Sequence, residues 1–303
     1  MALKIVPPSE PLPVENLVLT VYAAPGLGKT SLAFTASHPL LLDADKGSHR
    51  ASNIKDRVIV HTWADAMNLT AEDIAPFDTV VLDTAGTLIS KFMAKLIQQD
   101  PKNAGPYGGM SGKGWGNVNN AIEVLVQSII SAKKDLIVVC HMDEQDTGNG
   151  TKERIDAAGK PRNMIYRVSD AMCRIVINPD GSRFLNFDPS EGGYGKNPAQ
   201  LPRVPFPHPS QQPDTLAKVI AQIKDALNRQ TAAQAEVVKQ QQQWVAAVAD
   251  AKSLDDVNTL LAISLEQKLS KAQKAMLVER ATAVGFTFDK PSGLFVVQEV
   301  VTA

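Results

Sequence analysis

Lys29 and Thr30 follow directly on a glycine turn in AAPGLGKT, residues 23–30. The run matches G-x-x-x-x-G-K-[ST] except that Ala23 stands where the first glycine would. The chemistry that needs this pattern is polyphosphate binding. A turn through Ala24, Pro25, Gly26, Leu27 and Gly28 lets backbone N–H groups surround a β-phosphate, and the first residues of the helix that follows, Lys29, Thr30 and Ser31, complete the cradle. Lys29 then reaches the β- and γ-phosphates and the Thr30 hydroxyl holds Mg²⁺. Ala23 forgoes only a conformational freedom that some loops of this kind do without.

Other strand ends supply what such a site needs. DTVVLDTAG (78–86) presents Asp83, LLLDADKG (40–47) offers Asp43 and Asp45 beside the γ-phosphate, and LIVVCHMD (136–143) ends its apolar run on His141. An apolar strand ending in D-T-A-G is how many G proteins present an aspartate to Mg²⁺, whereas a strand ending in a single Asp is the Walker B element of ATPases. The guanine reading also requires Asn-Lys-x-Asp at the end of a later strand. Here Cys140 and His141 occupy the Asn and Lys positions before Asp143, and Ser131-Ala132-Lys133 precedes that strand instead of following it. Asp83 therefore reads as Walker B, bound to Mg²⁺ directly or through water, with ATP as the nucleotide.

Short apolar runs at 16–22, 38–45, 56–63, 77–83 and 135–141 are strand patterns, and helical periodicity at 86–99 and 117–134 separates some of them. That alternation predicts an α/β fold, a mostly parallel central sheet with helices on both faces. Residues 173–189 predict a hairpin around Pro179-Asp180-Gly181 that extends the sheet with antiparallel strands. The stretch 201–213 holds five prolines in thirteen residues and reads as an extended linker. The domain expectation is a lead over 1–13, a core over 14–200, this linker, and a small helical region over 214–303. Ser253 with Asp256 and Ser264 with Gln267 have capping-box spacing there, and a last helix runs from about Ser270 to Gly285.

With 44% hydrophobic and 21% charged residues and a formal net charge of −1, the 303-residue chain is not globally basic. Any nucleic-acid contact must be local. Cys140 and Cys173 sit in apolar runs, which suits buried thiols in a reducing cell, so the expected location is cytoplasmic. No run approaches the roughly 18–20 apolar residues of a membrane span.

Taken in order, AAPGLGKT, LLLDADKG, FDTVVLDTAGTLI and LIVVCHMDEQ resemble the RecA-like ATPases, and more closely the short RecA-like single-strand annealing ATPases of bacteriophages, over about residues 14–200. The resemblance implies that Asp45 or Asp43 orients the attacking water in place of the family's usual glutamate. It implies that His141 is the γ-phosphate sensor. It also implies single-stranded DNA as partner, through a loop after the Walker B helix and a loop after the sensor strand. The first, 101–116, combines glycines with Lys102, Tyr107, Lys113 and Trp115, and aromatic planes with cations suit base stacking and phosphate neutralisation. The second, 143–162, supplies Lys152, Arg154, Lys160 and Arg162. Lys196, in GYGKN, resembles a lysine that contacts the neighbouring subunit's γ-phosphate, which implies a homo-oligomeric ring or filament. Single-strand-binding or other recombination proteins are further expected partners, and a bacterial host cytoplasm the setting. Two alternatives stay open: a nucleotide-binding module with little hydrolysis, and a small-substrate kinase with Arg154 and Arg162 on its lid.

Overall fold

A computed structural model of the chain describes residues 3, 5–148, 150–189 and 192–298. Among them the strands are β1 (Val18–Ala23), β2 (Pro39–Asp43), β3 (Arg57–Ile59), β4 (Thr79–Asp83), β5 (Asp135–Asp146), β6 (Thr151–Ile155), β7 (Ala171–Ile177), β8 (Arg183–Asn186), β9 (Val204–Pro205), β10 (Phe286–Asp289) and β11 (Leu294–Val297). The helices are α1 (Lys29–Ala33), α2 (Trp63–Met67), α3 (Ala71–Ile74), α4 (Ala85–Gln99), α5 (Gly112–Ser131), α6 (Gly159–Val168), α7 (Thr215–Asp250), α8 (Leu254–Glu266) and α9 (Lys271–Ala283).

One sheet carries β1 to β9 in the order β3-β2-β4-β5-β1-β7-β8-β9, with β6 paired to the outer part of β5. The strands from β3 to β7 in that order run parallel. β6, β8 and β9 pair antiparallel, as the hairpin at Gly181 predicts for β7 and β8. Every residue of β1, β2 and β4 is buried, which is why these strands read as continuous apolar runs instead of alternating ones. Alternation survives as a choice of face. Val80, Leu82, Leu136 and Val138 pack against Leu88, Ile89 and Phe92 of α4 and Ile122 and Leu125 of α5. Leu19, Val21, Val81, Ile137 and Val139 face the other way, onto Leu32, Phe34 and the start of α7.

The proline-rich stretch is not a free linker. Val204 and Pro205 form β9 against β8, Phe206 is buried, and Leu216, Val219, Ile220 and Ile223 of α7 close one face of the sheet. Proline is tolerated in β9 because an edge strand need not donate from both sides. The compact unit accordingly runs from Pro13 to Asn228, and its boundary falls inside α7 instead of at 201–213. The second unit takes in Arg229–Ala303 with Met1–Leu12. Trp244, Val248, Val257, Leu260, Leu277 and Phe295 form its core, and β10 and β11 add a hairpin that the helical expectation lacked. Ser253 caps α8 through a capping box with Asp256. Ser264 lies inside α8, where its hydroxyl donates to Leu261 O, and the next box is Ser270 with Gln273. No helix among the described residues is long and apolar enough to cross a membrane.

Cutting the chain after residue 200 should therefore leave an uncovered sheet face and abolish cooperative thermal unfolding of the core, whereas a chain ending at residue 228 should unfold cooperatively. Calorimetry on both truncations checks this.

Candidate nucleotide site

Parallel pairing delivers strand ends to one edge in fixed register. Asp43 of β2 lies level with Asp83 of β4, and Ala23 of β1 lies level with His141 of β5. The chain leaves β1 through the glycine turn, in which Gly26 and Gly28 take φ of 82° and 88°, the left-handed region that glycine enters without strain. The helix expected after it is short, Lys29–Ala33, so the local N–H groups of the turn form the cradle more than any long helix dipole does. Lys29 is buried, and its Nζ donates to the carbonyls of Ala23 and Ala24 at 3.0 and 2.9 Å. Burial pushes this ammonium below its usual pKa, and Asp83 and Asp45 pull it back up.

Thr30 Oγ1 donates to Asp83 Oδ2 at 2.7 Å across the end of β5. Asp83 is 5% exposed, and burial first, then the charges of Asp45 and Asp43, push its carboxyl up to about 6 against the pull of Thr30 and Lys29. The two aspartates of LLLDADKG divide. Asp43 is buried and accepts from the backbone N–H groups of Gly47 and Ser48, both at 3.0 Å, so it braces the turn that follows β2. Asp45 projects into the cleft, where Thr84 Oγ1 donates to both its oxygens at 3.1 Å and His141 Nε2 stands 3.2 Å from Oδ2. Burial raises the Asp45 pKa, but hydrogen bonds from His141, Thr87 and Thr84 outweigh it and hold the carboxyl at about 2. Pro25, Gly28, Lys29, Thr30, Asp45, Asp83 and His141 share one cleft of about 290 Å³.

A family profile described as an AAA domain matches residues 15–199, more than half of the chain. The chain belongs to this AAA-domain family. It is thereby an AAA-type P-loop ATPase, with the nucleotide-binding α/β fold described above and ATP as the expected ligand, usually with Mg²⁺. A comparison with curated proteins finds no match. Among the described residues of this AAA-family chain no group of three or more His, Cys, Asp or Glu side chains is arranged around a metal. Mg²⁺ does not need one: it is held through one or two carboxylates, waters and the substrate's phosphates. A hydroxyl bonded to a buried carboxylate that its neighbours make reluctant to ionise fits such a cation.

Around this AAA-family site the sequence left gaps. Thr84, directly after Asp83, orients Asp45, and Arg50 and Gly47 line the same cleft. Ser31 Oγ accepts from Ser52 N at 3.3 Å, which ties the cradle to the segment after β2. Arg183 Nη1 donates to Leu27 O at 3.3 Å from the far hairpin. A polar residue directly after a Walker B aspartate was a readable signal for Thr84; nothing local marks Arg183.

The residues nominated for DNA scatter. Tyr107 is fully exposed at the tip of a glycine loop, and Lys102 is exposed. Lys113 pairs with Asp100 at 3.2 Å. Trp115 lies in the first turn of α5, which begins five residues before the expected 117, and its ring packs where a Cβ on Gly159 would stand. The expected second loop is largely the β5–β6 hairpin and the first turn of α6. Arg154 pairs with Asp143 at 2.8 Å and Lys152 sits over the Tyr194 ring at 4.1 Å. Lys160 is exposed and Arg162 half-buried in α6. Lys196 Nζ donates to Ser169 O at 2.7 Å, and its backbone pairs with Met172.

Asp43→Ala should cost roughly 2–3 kcal/mol of stability through two lost backbone partners. Asp45→Asn should also lose stability, through weakened bonds to Thr84 and His141, but should lower kcat at least tenfold in protein that is still folded, so turnover measured below the melting transition separates the two aspartates. Asp83 behaves oppositely to an ordinary paired carboxylate. Its folded pKa of about 6 exceeds the ordinary 3.8, so its contribution to stability is complete below pH 4 and is lost as pH rises through 6. In chelator, Asp83→Asn should therefore gain more stability over wild type at pH 8 than at pH 5, by about 1 to 1.5 kcal/mol. An equal difference at both pH values would show that Asp83 ionises normally.

Proposed function

We propose that the chain is a RecA-like ATPase of the bacteriophage recombination type, which couples ATP hydrolysis to binding of single-stranded DNA. The observation that carries the hydrolytic part is the Thr30–Asp83 hydrogen bond of 2.7 Å in a cleft that also holds Lys29, Asp45 and His141. Thr30 and Asp83 would hold Mg²⁺, which neutralises charge on the β- and γ-phosphate oxygens. Lys29 turns its ammonium from the carbonyls of Ala23 and Ala24 to the same oxygens, and the N–H groups of the glycine turn fix the β-phosphate.

Asp45 positions the attacking water. With its carboxyl held at about 2 it is a weak base at neutral pH, so its part is to orient the water as an acceptor instead of storing its proton. Thr84 and His141 keep the carboxylate in place, which compensates for a side chain one methylene shorter than glutamate. His141 belongs to β5, and β5 continues without a break into the hairpin with β6. Likewise Asp83 leads through α4 to the loop that bears Tyr107. Both segments nominated for DNA thus spring from strand ends that face the phosphates. The fully exposed Tyr107 ring, flanked by glycines, supports base stacking there.

Lys29→Ala should abolish hydrolysis in a single-turnover assay, with or without oligonucleotide. Wild type should hydrolyse faster with single-stranded DNA, and Tyr107→Ala should weaken oligonucleotide binding about tenfold while leaving unstimulated turnover intact. DNA affinity unmoved by loss of Tyr107, together with an unstimulated rate in wild type, would leave an ATPase with another partner.

A further inference from the structure

Arg183 opens β8 directly after the Asn178–Ser182 turn, and its guanidinium is fixed by its surroundings. Nη1 donates to Leu27 O at 3.3 Å, and the guanidinium carbon lies 4.4 Å from the centre of the buried Phe206 ring. The same Nη1 is 2.8 Å from where a Cβ on Gly28 would stand. Gly28 is required by its φ of 88°, and the absence of a Cβ there lets the guanidinium lie against the turn. Among the described residues no carboxylate pairs with Arg183, although a half-buried guanidinium ordinarily finds one.

Arg183 lies against Gly28, which lines the cleft of the glycine turn. Arg183 also lines a second cleft of about 270 Å³ between the Gly181–Phe184 turn and Pro205–His208. Its walls are two prolines, two aromatic rings, Gly181 and the arginine, with Ser182 and the exposed His208 as its other polar groups. Flat, mostly apolar walls with few polar groups suit a planar heteroaromatic ring far better than another phosphate. A guanidinium backed by a phenyl ring is a rigid plane on which such a ring stacks.

We infer that this second cleft receives the base of the nucleotide whose phosphates occupy the glycine turn, with Arg183 as the stacking platform. The inference rests on the proposed phosphate site and adds to it the element that distinguishes a nucleotide from bare polyphosphate. β9 and the proline-rich segment then have a binding duty: they hold Phe206 behind the arginine.

Equilibrium binding of ATP and of inorganic tripolyphosphate, each with Mg²⁺, to full-length wild type, Arg183→Ala and Arg183→Lys tests it. Wild type should bind ATP at least tenfold more tightly than tripolyphosphate. Both variants should lose about tenfold in ATP affinity while tripolyphosphate binding stays within twofold, since lysine keeps the charge but not the plane. Recovery of ATP binding in Arg183→Lys, or equal loss of both ligands in both variants, would make Arg183 a charge clamp on the phosphate turn and overturn the inference. Equal wild-type affinity for both ligands would leave the phosphate site standing and remove the base cleft; binding of neither would remove the phosphate site itself.

Discussion

A carboxylate buried at the carboxyl edge of a parallel sheet is the constraint around which the site is organised. Asp83 has almost no water to solvate it and two further aspartates within electrostatic reach. Left alone, such a group takes up a proton. The surroundings answer with a hydroxyl from Thr30 and an ammonium from Lys29, both delivered by one tight turn. A carboxylate so reluctant to ionise in the bare protein is one whose charge a divalent cation would relieve.

The neighbouring acids show how backbone geometry assigns roles that side-chain type cannot. Asp43 is the last residue of β2, and the chain turns back immediately, with Lys46 in the left-handed region at φ 56°. The N–H groups of Gly47 and Ser48 then converge on the Asp43 carboxylate. Asp45, past the end of the strand, meets Thr84 and His141 instead. One aspartate shapes the loop and the other serves the cleft, although they stand two residues apart in the chain.

How much of this was legible in the sequence depends on the range of the interactions. AAPGLGKT and the apolar strands ending in Asp83 and His141 are local patterns, and the sheet places them as their order suggests. Choosing between Asp43 and Asp45 needed the backbone of the turn, because both satisfy the same spacing. Trp115 and Lys113 looked like loop residues because glycines surround them, yet Ser111 caps a helix there and accepts from Gly114 N, which fixes Lys113 beside Asp100 and Trp115 against Gly159. The proline-rich stretch looked like a linker because composition registers five prolines and misses a single phenylalanine whose burial anchors an edge strand. Arg183 was out of reach altogether: its partners, Leu27 and Phe206, lie far from it in sequence or across an edge strand that periodicity does not reveal.

The architecture also limits how a change at the phosphates can travel. β4 and residues 135–140 of β5 are central and buried, and a well-packed interior does not deform continuously. Movement at Asp83 or His141 must leave through the segment that each strand runs into. After β4 that is the N-terminus of α4, where a Cβ on Gly86 would stand only 2.7 Å from Asp156 O. Asp156 comes directly after β6, and its N–H donates to His141 O at 2.8 Å. The start of α4 and the base of the β5–β6 hairpin therefore touch through one residue whose backbone also bonds His141. A shift of His141 relative to Asp45 cannot move the hairpin without pressing on α4, and hence on the helix that carries the Tyr107 loop. Enlarging Gly86 would jam that contact without touching a phosphate-binding group, which places any coupling between the two segments in the packing behind the site instead of in the cleft itself.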